Sequence, residues 1–131
     1  MMKQVGISPY EAIGGAEMVD HLVEEFYDRV ALHPDLKPIF PDDLTETARK
    51  QKQFLTQFLG GPRLYSEEHG HPMLRARHLP FPITPKRAKA WLNCMQEAMD
   101  AVNLQEPWRT QIFDRLTLVA HHMVNTDEES E

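Results

Sequence analysis

Seven histidines are spread along this 131-residue chain, and one of them, His78, stands in the segment "RARHLPFPIT" at residues 75–84. Arginines precede it, and Pro80 and Pro82 follow, so the imidazole sits where a helix is forced to stop. A neutral imidazole is a common metal ligand, and a histidine near the end of a short helix can face a cavity. It can equally be an ordinary helix-end residue, and spacing alone leaves both readings open. His69 and His71 form an H-x-H in a loop, which suits zinc, but no carboxylate or cysteine completes a familiar zinc spacing. His121 and His122 fall in the last helix, where structural roles are expected and one is expected to be partly buried. His21 and His33 have no context that suggests chemistry.

A second set of residues is polar where apolar ones are expected. Thr47 and Gln51 interrupt the stripe Leu44, Ala48, Phe54, Leu55, Phe58. Tyr27 sits in another stripe beside Phe26, and Trp91 brings an indole N–H into a third. A buried hydroxyl, amide or indole without a partner costs about 1–3 kcal/mol. Each one alone is readily explained by a backbone carbonyl or a water. Four of them, on helices that can converge, look like the lining of a pocket.

The elements that must position these groups read as helices divided by proline and glycine, with no period-2 strand pattern. A turn of helix begins at Pro9 and breaks at Gly14-Gly15. A helix over roughly 16–32 carries Met18, Leu22, Val23, Phe26, Tyr27 and Val30 on one face. "HPDLKPIFP" makes a tight corner, and Asp42 or Asp43 caps a helix over about 43–59 that Gly60-Gly61-Pro62 ends. Residues 62–71 read as loop, and Pro72 starts a short helix running to about Leu79. Thr84 caps a helix opened by Pro85, with Ala88, Trp91, Leu92, Met95, Met99 and Val102 inward. The last helix, about 106–125, turns Trp108, Ile112, Phe113, Leu116, Val119, Ala120 and Met123 inward. Beyond it, residues 126–131 form an acidic tail expected to fray. The expectation is one all-α domain over residues 1–131.

Composition narrows the function. A net charge of -6 argues against non-specific nucleic-acid binding, which wants a basic surface. There is no signal-peptide pattern and no apolar run long enough to span a bilayer. The single Cys94 cannot form an internal disulfide, which suits the cytoplasm, and it excludes a C-x-x-C-H haem attachment. Cys94 reads as a small core residue rather than a thiolate ligand.

Taken together, "FYDRV", "LKPIFP", "TETARKQKQFLTQFLGGP", "YSEEHGHPMLRARHLPFPIT" and "AWLNCM" resemble the group II truncated haemoglobins, the bacterial "O" type. The resemblance covers about residues 9–126 and is nearest to the versions in Bacillus-like bacteria. It implies a globin-like, truncated two-over-two helical sandwich enclosing a non-covalent haem b. The helix pairs would be 16–32 with 43–59, and 84–102 with 106–125. His78 matches the family's proximal iron ligand, Tyr27 its distal tyrosine, and Trp91 its characteristic indole. Phe40 matches the aromatic that packs on the haem after the second helix. Thr47 and Gln51 match the two distal-helix positions, while Lys50, Tyr65 and Arg77 fall where the family contacts haem propionates or the haem edge. The double glycines at 14–15 and 60–61 match the turns that let so short a globin close.

The function implied is binding of dioxygen, with NO and CO as further diatomic ligands. Donors such as the Tyr27 hydroxyl and Trp91 N–H would favour tight binding and slow release, which suits capture better than bulk transport. Turnover of NO or peroxide, as a dioxygenase or peroxidase, would need a separate reductase, since the chain has no flavin or nicotinamide domain. A gas sensor would need an output domain. A haem-free helical interaction domain is the alternative from a different class. The expected assembly is a monomer or homodimer.

Overall fold

A computed structural model describes residues 7–79 and 81–127 of the chain, with Arg75 described in its backbone alone. Among the described residues seven helices follow one another: α1 (Pro9–Ile13), α2 (Gly15–Val30), α3 (Thr45–Phe58), α4 (Leu64–His69), α5 (Leu74–His78), α6 (Pro85–Ala101) and α7 (Trp108–Met123). A single 3-10 turn, Lys37–Ile39, lies between α2 and α3. Among the described residues there is no strand, and no helix is long and apolar enough to cross a membrane. The four long helices form two pairs, α2 with α3 and α6 with α7, and α2 against α6 is the most extensive contact between them.

The core lies along that α2–α6 contact. Leu22, Val23, Phe26 and Val30 of α2 are fully buried, as are Met95, Ala98 and Met99 of α6. Leu55 of α3 and Ile112 and Leu116 of α7 close the same cluster. The inward stripes read from periodicity are therefore the packed faces, with two adjustments. Val19 is buried where Met18 was expected to lead the α2 stripe, and Trp91, Val102, Trp108, Phe113 and Val119 are only partly buried. The partial exposure of Trp91 matters, because its indole then reaches the edge of the core.

Local chemistry explains most boundaries. Ser8 and Glu11 form a reciprocal capping box ahead of Pro9. Gly14 ends α1 with φ 119, a left-handed conformation that side chains resist. Thr84 caps α6 by accepting from the Arg87 N–H at 3.1 Å, with Pro85 in the first turn. Gly61 serves a different need: a Cβ there would lie 2.8 Å from the Tyr10 ring, so only glycine lets α1 close onto the end of α3. The Tyr10 N–H donates to the Leu59 carbonyl at 2.9 Å across that junction.

Several boundaries differ from expectation. The expected aspartate cap of α3 is displaced: Leu44 holds the cap position without a side-chain bond, and Asp43 accepts from the Thr45 N–H at 3.0 Å from one residue earlier. Residues 64–69, expected as loop, are α4. That helix exists because of its tertiary partners: the Gln57 side chain donates to the Ser66 hydroxyl at 2.7 Å and accepts the Ser66 N–H at 2.9 Å, while Tyr65 is buried edge-on against Phe54. Six residues carry too little periodicity to announce a helix. Helix α5 starts at Leu74 rather than Pro72, because Met73 adopts φ 44 and so cannot continue a helix from the proline. Both His121 and His122 are exposed, so neither is partly buried as expected. The tail does not fray at once, since the Thr126 N–H donates to the Ile83 carbonyl at 3.2 Å. Pro80, the Arg75 side chain and residues 128–131 lie outside the described residues.

Candidate functional site

A cavity of about 520 Å³ opens between the helix pairs, within the usual range for cofactor pockets. The nine site residues that the resemblance implies all line it: Tyr27, Phe40, Thr47, Lys50, Gln51, Tyr65, Arg77, His78 and Trp91. They come from α2, the corner after it, α3, α4, α5 and α6, so the fold gathers positions 64 residues apart in the chain, from Tyr27 to Trp91. Apart from Arg87, the remaining wall is apolar, with Leu36, Phe54, Leu116, Val119 and Met123 among its members.

His78 is the group best prepared for ligation. Its Nδ1 lies 2.7 Å from the Leu74 carbonyl, one helical turn back. A carbonyl only accepts, so Nδ1 carries the proton and Nε2 keeps its lone pair. Among the described residues no hydrogen bond engages Nε2. Orientation of a ligating imidazole by a hydrogen bond to its other nitrogen is the usual arrangement at metals.

Tyr27, Phe26, Trp91 and Phe40 form a run of edge-on rings. Phe26 meets Tyr27 at 4.8 Å and Trp91 at 5.0 Å, and Tyr27 meets Phe40 at 6.1 Å. Such pairs contribute about 0.5–1.5 kcal/mol each and fix ring orientation. Burial pushes the Tyr27 hydroxyl well above its ordinary pKa, so it stays a neutral donor. Among the described residues, no protein group hydrogen-bonds the Tyr27 hydroxyl, the Trp91 N–H, the Thr47 hydroxyl or the Gln51 amide. Among the described residues no fully enclosed side-chain polar atom lacks a partner, so these groups open onto the cavity.

The charged rim is arranged more tightly than the sequence suggests. Arg77 donates through Nε to the Pro72 carbonyl at 2.6 Å and through Nη2 to the His69 and His71 carbonyls at 2.9 and 3.1 Å. Its guanidinium also sits 5.5 Å from the centre of the Tyr65 ring. Three of its five donors thus brace the loop before α5, and Nη1 is left for another acceptor. Lys50, exposed beside the cavity, makes no salt bridge among the described residues. The H-x-H pair is divided between two other tasks: His69 Nε2 meets the Gln53 amide oxygen at 2.8 Å, and His71 Nδ1 accepts from the Met73 N–H at 3.2 Å.

One charged cavity residue escaped the sequence reading. Arg87 lines the pocket from the first turn of α6 while donating to the Asp35 carbonyl at 3.0 Å and the Pro82 carbonyl at 2.8 Å. A lone arginine in "TPKRAK" gives no signal of this, because its partners are backbone carbonyls, one of them 52 residues away. Leu74, Phe81 and Ile83 are further lining residues around His78.

These residues fit a haem. A single imidazole with a free, oriented Nε2 suits an iron that already carries four ring nitrogens of its own. The apolar wall suits the macrocycle, and Lys50, Tyr65 and the spare Arg77 donors suit carboxylate side chains at its edge.

Comparison with known proteins gives the same answer. The family model described as bacterial-like globin matches residues 8–125. The chain is 69% identical over 121 residues to the group 2 truncated haemoglobin YjbI of Bacillus subtilis (strain 168), covering 92% of this chain and 91% of that one. Its fold matches the crystal structure of the group II truncated haemoglobin from Bacillus anthracis with a TM-score of 0.94 and 66% identity, over 98% of both chains. It also matches the X-ray structure of a truncated oxygen-avid haemoglobin from Bacillus subtilis with a TM-score of 0.89 and 70% identity, over 91% of this chain and 100% of that one. The chain belongs to the bacterial-like globins, as a truncated haemoglobin of group II with non-covalent haem b as its cofactor.

Proposed function

We propose that this globin captures dioxygen at a haem ligated by His78 and releases it slowly. When bound, the haem iron supplies reversible coordination of a diatomic molecule, O2 foremost and NO or CO as well. The chain supplies the rest. His78 offers Nε2, oriented by its bond to the Leu74 carbonyl. Lys50, Tyr65 and Arg77 hold the cofactor's carboxylates at the rim, and Phe40 packs on its face. Thr47 and Gln51 add polar groups to the space the diatomic molecule enters. The single observation that carries the reading is that Tyr27 and Trp91, two donors without protein partners among the described residues, share a cavity with His78. A donor in a water-poor site strengthens its hold on a ligand that gains negative charge. The oxygen-avid character named for the relative from Bacillus subtilis agrees with this reading.

The absorption spectrum of the freshly expressed protein tests it, in ferric, ferrous and oxygenated forms. A Soret band that tracks the polypeptide is expected, and His78→Ala is expected to lose the wild-type ferrous spectrum. A stable, colourless protein, or an unchanged ferrous spectrum in His78→Ala, would overturn the proposal.

A further inference from the structure

Helix α5 is five residues long, too short to hold its own position, and nothing within it fixes where His78 stands relative to the cavity. Its C-terminal carbonyls also need partners from outside the helix. The His78 carbonyl accepts the Phe81 N–H at 2.9 Å, and the structure adds a second partner from the far end of the chain. The Asn125 side chain, just beyond α7, donates through Nδ2 to the His78 carbonyl at 3.2 Å and to the Phe81 carbonyl at 3.0 Å. Its Oδ1 accepts the Ile83 N–H at 3.0 Å, and its own backbone N–H donates to the Ile83 carbonyl at 3.0 Å. Thr126 steadies the amide, donating from Oγ1 to Asn125 Oδ1 at 2.7 Å. One asparagine thus spans the whole "HLPFPI" segment, where prolines at 80 and 82 remove two backbone donors. From the other side, Arg87 takes the Pro82 carbonyl.

We infer that Asn125 is a positioning residue for the iron-binding imidazole, setting the height of α5 through the His78 and Phe81 carbonyls while touching neither cofactor nor ligand. The amide is suited to this because it donates twice and accepts twice at one place. An aspartate keeps the shape and the acceptors but loses both donors. A leucine keeps the approximate volume and loses all four side-chain contacts. The inference rests on the reading of His78 as the iron ligand.

The test uses the haem-loaded protein and three readouts: the iron–histidine stretching band of the ferrous form by resonance Raman, the rate of haem transfer to an excess of a haem-scavenging apoglobin, and the thermal midpoint. Asn125→Asp and Asn125→Leu are expected to shift or broaden the stretching band. They are also expected to speed haem loss about tenfold, equivalent to about 1.4 kcal/mol. Val19→Ala, a core truncation in α2 away from the cavity, is expected to lower the thermal midpoint and leave the band in place. If Asn125→Leu does not fold, Asn125→Ser replaces it, with the same expected shift. An unmoved band and an unchanged haem-loss rate in the Asn125 variants would overturn the inference, as would an equal band shift in Val19→Ala. His78→Ala separates the two layers: a band that survives in it refutes the ligand assignment. A band that vanishes in His78→Ala but ignores Asn125 refutes the positioning role alone.

Discussion

Phe26 meets Trp91 edge-on, with ring centroids 5.0 Å apart and planes at 65°, so the indole on α6 is held by a fully buried ring on α2. The same phenylalanine holds Tyr27 from its other side at 4.8 Å. Both donors that open onto the cavity are therefore oriented by one core residue. Their geometry is set before any ligand arrives, which is the condition for a hydrogen bond to act without a reorganisation cost.

The first prediction concerns those donors. Tyr27→Phe and Trp91→Phe each remove one hydrogen-bond donor, the first with almost no change of volume and the second with the loss of one ring of the indole. A charge-assisted bond contributes about 1.5–3 kcal/mol, so each variant is expected to raise the oxygen dissociation rate about tenfold to a hundredfold. Stopped-flow displacement of oxygen by CO measures this directly. Off-rates equal to wild type in both variants would mean that neither group contacts the ligand.

A second prediction concerns the junction between α1 and α3. A Cβ at position 61 would lie 2.8 Å from Tyr10 Cδ2, closer than real Cβ contacts come, and a tight 3.0 Å from Thr56 Cγ2. Gly61→Ala is expected to destabilise the protein by about 1–3 kcal/mol through overpacking. Adding Tyr10→Ala should recover part of that loss, because the two positions are coupled by one clash. Chemical unfolding of the single and double variants gives the cycle, and strict additivity would show that the clash is absent.

The third prediction follows from the acidic surface between α3 and α4. Hydrogen bonds from Arg49, and then from Gln53, hold the Glu68 carboxyl down at about 2 from its ordinary value of 4.5. A carboxylate lowered on folding contributes stability above its unfolded value. That contribution is lost as pH falls from 4.5 toward about 2. Glu68→Gln should therefore lose less stability than wild type across that acid window, with the difference shrinking at high salt. Urea midpoints measured at pH steps through the window check this; parallel curves would show that Glu68 is not linked to folding.

The long helices were legible in the sequence because each buries one stripe at a period near 3.6, from Leu22 to Val30 in α2 and from Leu92 to Met99 in α6. The site was legible in part for the same reason: Thr47 and Gln51 were visible as polar members of an apolar stripe. What periodicity could not carry was anything made by distant partners. Helix α4 depends on Gln57, and the placement of Arg87 depends on the Asp35 and Pro82 carbonyls. The left-handed turn at Met73 also gave no sign, since methionine is not a residue that favours it. Composition and spacing left His78 open between a helix end and a ligand; the family pattern points to the ligand, and the bond to the Leu74 carbonyl orients the imidazole beside the cavity.

Helix α3 buries only Leu55 and Thr56 of its own, while Thr47, Lys50, Gln51 and Phe54 face the cavity. This helix packs on α2 and α4 with one face and leaves the other to whatever fills the cavity. A molecule that binds the folded state alone stabilises it in proportion to the logarithm of its free concentration. Porphyrin supply is then expected, through mass action, to set how much of this chain survives proteolysis.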